Sequence, residues 1–226
     1  MPSKHALIVG ASRGLGLGLV REYLARGWDV TGTVRAGKRT ELHDLEGKVR
    51  IETVDINVRP QVLALREKLA HENFDLLFVN AGVSNGRSET IGEVSDETFI
   101  HVMLSNALNP MRIVEEFGAL VPTAGAIAVM SSGLGSVTDN TTGGWEVYRA
   151  SKAALNTLMR SFAARHADDP RAFFLIAPGW TRTDMGGPEA YLDVETSIKG
   201  VAKTIEGRMH QPGLHYVNYQ GLTVSW

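Results

Sequence analysis

Tyr148 and Lys152 stand four residues apart in Tyr148-Arg149-Ala150-Ser151-Lys152, inside a stretch whose apolar residues keep helical spacing. On a helix that spacing puts both side chains on one face, with Cβ atoms roughly 5–6 Å apart. A free phenol, with a pKa of about 10, is too weak an acid for efficient proton transfer at neutral pH. A neighbouring ammonium favours the phenolate and is expected to lower that pKa. The same pair also occurs as plain surface packing, so its company decides. Ser131-Ser132 closes the apolar run before this helix, and Asn80-Ala81-Gly82 closes another. Pro178-Gly179-Trp180-Thr181-Arg182-Thr183 follows a third. Asn106 lies in a helical pattern, where asparagine is a poor former unless its side chain has a task.

A second candidate site is Gly10-Ala11-Ser12-Arg13-Gly14-Leu15-Gly16, directly after the first apolar run and opening an amphipathic stretch. Glycines allow a tight turn and close approach to a pyrophosphate, and the following helix N-terminus offers free N–H groups to an anion. Gly10–Gly14 also matches G-x-S-x-G, the turn that presents a nucleophilic serine. That turn follows a strand inside a sheet with an oxyanion loop upstream, and only nine residues precede Gly10. A P-loop needs Gly-Lys-Ser/Thr, which is absent. Nucleotide binding is the favoured reading.

The second apolar run ends Thr33-Val34-Arg35 without the acid that usually holds a free ribose 2′-OH. Arg35 and Arg13 instead suit a 2′-phosphate, which guanidinium grips bidentately. NADP(H) is therefore expected over NAD(H). Asp55 and the adjacent Ile56 are placed at the adenine, with Asp55 accepting from the adenine amine or capping the next helix.

The elements that must carry these residues alternate. Strands are expected at Ala6–Val9, Asp29–Val34, Val49–Val54, Phe74–Asn80, Ala126–Ser131, Ala172–Ala177 and Leu214–Tyr219. Blocks such as Leu76–Val79 and Phe173–Ile176 are continuously apolar, as in strands covered on both faces. Helices are expected at Leu15–Arg26, Pro60–His71, Asp96–Leu120, Val147–His166 and Val194–Arg208, with a short one near Thr40–Asp44. Ser95 or Asp96 can cap the third, and Pro110 should kink or interrupt it. The pattern predicts an α/β fold, one Rossmann-type doubly wound domain over residues 1–226. Its seven-stranded sheet would be mostly parallel, with helices on both faces.

The 226 residues contain no cysteine, which excludes disulfides and thiolate chemistry. A net charge of −2 argues against a broad nucleic-acid surface. The first apolar run, Ala6–Val9, is four residues long, far below the about 20 of a membrane span. A soluble, cytoplasmic protein without membrane or nucleic-acid partner is expected. None of the seven histidines falls in a metal-like pair, so no metal site is expected.

Taken jointly, Gly10–Gly16, Asn80-Ala81-Gly82, Ser132, Tyr148–Lys152 and Pro178-Gly179 resemble the short-chain dehydrogenase/reductase family, over Lys4 to Trp226. Gly133–Gly144 and Tyr148–Asn156 further resemble its C-factor and sniffer-like carbonyl reductase branch. The resemblance implies an oxidoreductase passing hydride between NADP(H) and a ketone, aldehyde or alcohol. It implies that Tyr148 is the acid/base, that Lys152 lowers its pKa and holds the nicotinamide ribose, and that Ser132 binds the substrate oxygen. Asn106 would hold a water linking Lys152 to solvent. Gly10, Ser12, Arg13, Gly14, Leu15, Gly16, Asn80, Ala81 and Gly82 would line the cofactor. Pro178, Gly179, Thr181 and Thr183 would orient the nicotinamide.

Three departures stand out. Val9 replaces the family's usual threonine, so the glycine turn loses a side-chain hydrogen bond. Thr181 stands where valine is common. Ser132 precedes Tyr148 by sixteen residues, a long gap carried by Thr138–Trp145. Ser132 is preferred to Ser131 because the family uses the second of its paired serines. Trp145, Trp180 and Met185 are candidate walls of an apolar substrate pocket, or ordinary core. The helices Asp96–Leu120 and Val147–His166 resemble the family's dimer-forming pair, implying a homodimer or homotetramer, although a monomer would also bury one face of each. A nucleotide-binding signalling or regulatory protein of C-factor type is the alternative function.

Overall fold

Seven short segments form one parallel sheet in the computed structural model, which describes residues 3–226. They are β1 (His5–Val9), β2 (Asp29–Val34), β3 (Arg50–Thr53), β4 (Leu76–Val79), β5 (Ala126–Met130), β6 (Ala172–Ala177) and β7 (Gly213–Asn218). The order is β3-β2-β1-β4-β5-β6-β7, with every strand pairing parallel. The chain starts in the middle, winds outward to β3, then crosses back to β4. That reversal opens a crevice between the carboxyl ends of β1 and β4.

Strand alternation explains the continuous apolar blocks. Ile8, Phe78, Ala128, Phe174 and Ile176 face one layer, with α1 (Gly14–Ala25) and α6 (Val194–Arg208) packed over them. Leu7, Val9, Leu77, Ile127, Phe173 and Leu175 face the other, beneath α2 (Arg59–Lys68), α4 (Asn109–Phe117) and α5 (Glu146–Arg165). Phe173 and Phe174 are both essentially inaccessible. Each such burial contributes roughly 1.5–3 kcal/mol, which fixes the strand register and hence the loops at the strand ends.

The expected long helix Asp96–Leu120 is divided, as Pro110 requires. It becomes α3 (Asp96–Met103), a π-helical turn over Leu104–Leu108, and α4 with Pro110 in its first turn. Pro110 has no N–H to give the carbonyl of Asn106 four residues back, and its ring would collide there. Ser95, rather than Asp96, caps α3: its hydroxyl accepts from the Thr98 N–H at 3.1 Å. The expected short helix is a 3₁₀ turn over Glu41–Leu45. No helix of the described residues is long and apolar enough to cross a membrane.

Candidate active site

The crevice begins with two interlocked loops. Gly10 takes φ +89°, and a Cβ there would lie 2.8 Å from the Ala81 nitrogen. At Gly16 a Cβ would lie 2.0 Å from the Gly10 oxygen and 2.6 Å from Asn80 Nδ2. Asn80 Nδ2 donates to that same Gly10 oxygen at 2.8 Å. The hydrogen bond lost with Val9 is made up from the neighbouring strand: the Gly10 N–H donates to Thr33 Oγ1 at 3.0 Å. Nothing in the local sequence pointed to Thr33. Helix α1 starts with no side-chain cap and no acid in its first turn, so its leading N–H groups are open to an anion. This donor set fits a dinucleotide pyrophosphate.

Around the loop the basic residues divide. Arg35 makes no ion pair among the described residues, whereas Arg39 meets Asp44 and Glu46. Arg13 pairs with Asp184 at 2.7 Å, both side chains mostly exposed. An exposed pair of this kind is worth only about 0–1 kcal/mol and exchanges readily. Asp55 turns to its own backbone: Oδ1 accepts from the Asn57 N–H at 2.9 Å, while Val58, not Asp55, precedes α2 as its cap residue. Ile56 is buried. Ser12 and Leu15 lie within the glycine turn and the start of α1.

The second cluster forms where β5, α5, the Asn80–Gly82 loop and the π turn meet. A Cβ on Gly82 would stand 3.2 Å from Asn106 Oδ1 and 3.6 Å from Lys152 Nζ, so these three converge. Lys152 is buried, its Nζ donating to the Met130 carbonyl at 2.9 Å and lying 5.8 Å from the centre of the Tyr148 ring. The Ser132 hydroxyl lies beside the Tyr148 phenol. Ser131 is turned away: buried, it donates to Asn156 Oδ1 at 2.6 Å. Asn106 is engaged at both ends of its amide, with Oδ1 accepting from Val83 N–H at 2.8 Å and Nδ2 donating to the Val83 carbonyl and to Ser151 Oγ at 2.8 and 2.9 Å. Its side chain thus clamps the loop after β4 to α5.

Two supporting residues escaped the sequence reading. Tyr216 on β7 donates its hydroxyl to the Ser132 carbonyl at 2.6 Å. Ser151 serves Asn106, although it lies within the Tyr148–Lys152 peptide. Tyr216 carried no sequence signal beyond a polar tip on an apolar strand.

The segment after β6 overlies the glycine turn. A Cβ at Gly14 would touch Thr183 Cγ2 at 3.5 Å, and Thr183 Oγ1 accepts from the Gly186 N–H at 3.1 Å. Thr181 is buried and its hydroxyl donates to the Gly179 carbonyl at 3.2 Å. The Pro178 carbonyl accepts from Ser197 Oγ at 2.7 Å. Trp180 and Met185 are 43% and 41% exposed, so neither is core, and the Trp180 indole N–H donates to the Gly186 carbonyl at 2.7 Å. Trp145 is partly buried, its ring 5.9 Å from that of Tyr148.

The electrostatics correct one expectation. Burial pushes the Tyr148 phenol up to about 12, against the opposing Ser132 hydrogen bond, rather than down under Lys152. Burial also lowers the Lys152 ammonium to about 8. Burial dominates both groups, and Lys152 directs its hydrogen bond to the Met130 carbonyl rather than to the phenol. At pH 7 both groups carry their protons. A pH dependence of stability follows. Lys152, depressed to about 8, gives stability that is complete above its unfolded pKa of about 10.5 and lost as pH falls through 8. Tyr148, raised to about 12, gives stability present below about 10 and lost as pH rises toward 12. Urea midpoints in Lys152→Met should therefore lose the wild-type rise between pH 8 and 10. An identical rise in both proteins would contradict the burial of this ammonium.

A parallel sheet with order 3-2-1-4-5-6-7, a glycine cradle at its switch point and a serine–tyrosine–lysine cluster beside it define a nucleotide-dependent oxidoreductase fold. The chain belongs to the short chain dehydrogenase family, which it matches over residues 4–190. It is 52% identical to a Burkholderia multivorans chain described as a short-chain dehydrogenase/reductase and crystallised with bound NADP, with a TM-score of 0.98 and 100% of both chains covered. It is 28% identical to the carbonyl reductase Sniffer of D. melanogaster, with a TM-score of 0.85 and 100% of both chains covered. It is 37% identical to the C-signal of Myxococcus xanthus over 157 residues, which are 67% of this chain and 92% of that protein.

Proposed function

We propose that this chain is an NADPH-dependent carbonyl reductase, acting on a ketone or aldehyde and, in reverse, on the corresponding alcohol. The observation that carries the reading is the meeting of Ser132, Tyr148 and Lys152 beside the Asn80-Ala81-Gly82 loop, at the switch point of the sheet. When bound, NADPH supplies the hydride that reduces the carbonyl carbon. Ser132 donates a hydrogen bond to the carbonyl oxygen. Tyr148, protonated at neutral pH, gives that oxygen its proton as negative charge develops. Lys152, a buried ammonium beside the resulting phenolate, passes a proton back to it from solvent. Gly10, Ser12, Gly14, Leu15 and Gly16 hold the pyrophosphate, and Asp55 and Ile56 flank the adenine. Asn80, Ala81 and Gly82 line the nucleotide, and Pro178, Gly179, Thr181 and Thr183 orient the nicotinamide. Trp180 and Met185 border the open substrate side.

Arg35 and Arg13 grip the 2′-phosphate in this reading, Arg13 exchanging Asp184 for it. The test is a screen of ketones and aldehydes by nicotinamide absorbance, with NADPH and NADH, on wild type and Arg35→Ala. Wild type should oxidise NADPH preferentially. Loss of a charge-assisted phosphate contact, about 1.5–3 kcal/mol, should raise the KM for NADPH at least tenfold and leave that for NADH nearly unchanged. Equal effects on both cofactors would remove the 2′-phosphate assignment.

The likeness to the C-signal supports a second reading, a nucleotide-binding signalling protein without important turnover. An absence of cofactor oxidation across the screen favours it. A proton donor with its serine and lysine in place weighs for the enzyme, since nucleotide sensing needs none. A cytoplasmic setting belongs to the proposal on the sequence reading of short apolar runs and no cysteine, and a homodimer or homotetramer on the family resemblance.

A further inference from the structure

The segment leading into α5 winds left-handed over three residues, Gly143 (φ +63°), Gly144 (φ +68°) and Trp145 (φ +55°). Trp145 is the only non-glycine residue of positive φ among the described residues. A bulky side chain held there stores backbone strain, which persists only where the surroundings over-determine it. The surroundings here are specific. Arg149, 9% exposed and without a carboxylate partner among the described residues, donates to the Gly144 carbonyl at 2.9 Å. It also donates to the Gly143 carbonyl at 3.1 Å and to Thr142 Oγ1 at 3.3 Å. The Trp145 N–H donates to the Arg87 carbonyl at 2.9 Å, and the Ile91 N–H donates to Glu146 Oε2 at 2.7 Å. The loop after β4 and the loop before α5 are thereby bound into one wall. From that wall the Trp145 indole meets the Tyr148 ring edge-on, at 5.9 Å and 60°.

We propose that Trp145 is a specificity-determining residue, selecting carbonyl compounds that carry a flat aryl group next to the carbonyl, and that Arg149 is the positioning residue that holds it. The inference deepens the carbonyl-reductase reading and rests on it. The backbone keeps tryptophan where glycine would sit without strain, so the indole itself is what the clamp secures. A ring at this place stands beside the phenol that protonates the substrate oxygen. An aryl substituent gains an edge-to-face or offset stack there, while a short alkyl group gains little.

The test compares acetophenone with 2-butanone, with NADPH, in wild type, Trp145→Gly and Trp145→Phe. Glycine suits the positive φ, so Trp145→Gly removes the ring without straining the backbone. The ratio of kcat/KM for the aryl over the alkyl ketone should fall about tenfold in Trp145→Gly, carried by KM, and be largely restored in Trp145→Phe. Calorimetric binding of 1-phenylethanol to the protein with NADP should weaken by a similar factor in Trp145→Gly. An unchanged ratio and unchanged binding overturn the role of Trp145 and leave the reductase reading standing. Turnover of other carbonyl compounds by wild type without turnover of acetophenone overturns the aryl preference alone, and no cofactor oxidation with any compound of the screen overturns both readings.

Discussion

Tyr148→Phe should lose turnover by on the order of a thousandfold while NADPH affinity stays within about twofold. The substitution deletes one hydroxyl, the group that lies beside Ser132 and remains protonated up to about pH 12. General acid catalysis by a positioned side chain contributes about 10²–10⁴-fold, and no other group in the site can replace it. Lys152 Nζ lies 5.8 Å from the centre of the Tyr148 ring and bonds the Met130 carbonyl, so it sits behind the phenol rather than at the substrate oxygen in this reading. The phenylalanine ring keeps the edge contact to Trp145 and the site keeps its shape. Binding should persist because the glycine cradle, the Asn80 loop and Arg35 are untouched. Steady-state absorbance measures the first quantity and cofactor titration by calorimetry the second. Retained turnover with lost binding would reverse the role assigned to this phenol.

The second large effect is expected at Gly16→Ala, through sterics rather than chemistry. The added Cβ would stand 2.0 Å from a backbone oxygen, that of Gly10, which Asn80 Nδ2 already holds at 2.8 Å. No flexible side chain can yield, so the β1–α1 turn must open and the N–H groups at the start of α1 lose their aim. Overpacking of this kind costs typically about 1–3 kcal/mol, which for a domain of this size lowers Tm by roughly 2–12 °C. NADPH affinity should drop by about a hundredfold, because the displaced atoms are the anion-facing ones. Gly207→Ala is the matched control: nothing lies within 4 Å of its Cβ, and it sits in α6. There alanine should hold or raise Tm slightly. Equal thermal shifts in the two variants would show that the cradle is not sterically closed.

Much of the architecture was legible because it is written in local period. Leu76–Val79 and Phe173–Ile176 are apolar at every position, as suits short strands covered on both faces. Pro110 announced the break in the long helix, since a missing N–H acts within one turn. The glycine spacing and the four-residue step from Tyr148 to Lys152 are likewise properties of neighbouring residues. Less legible was everything that needed two distant segments. Thr33 replaces the hydrogen bond lost at Val9 because parallel pairing sets β2 beside β1. The partnership of Arg13 with Asp184 spans most of the chain.

By itself, then, the sequence determined the strand and helix order, the phosphate turn and the shared helical face of phenol and ammonium, because backbone geometry imposes those from residue to residue. The tertiary structure alone decided that Ser131 turns inward to Asn156 while Ser132 meets Tyr148, and that Asn106 clamps Val83 to Ser151. It also decided that the phenol is harder, not easier, to ionise. Each of these depends on how much water and which distant partners packing leaves around a group, and desolvation and side-chain pairing are set in space rather than along the chain.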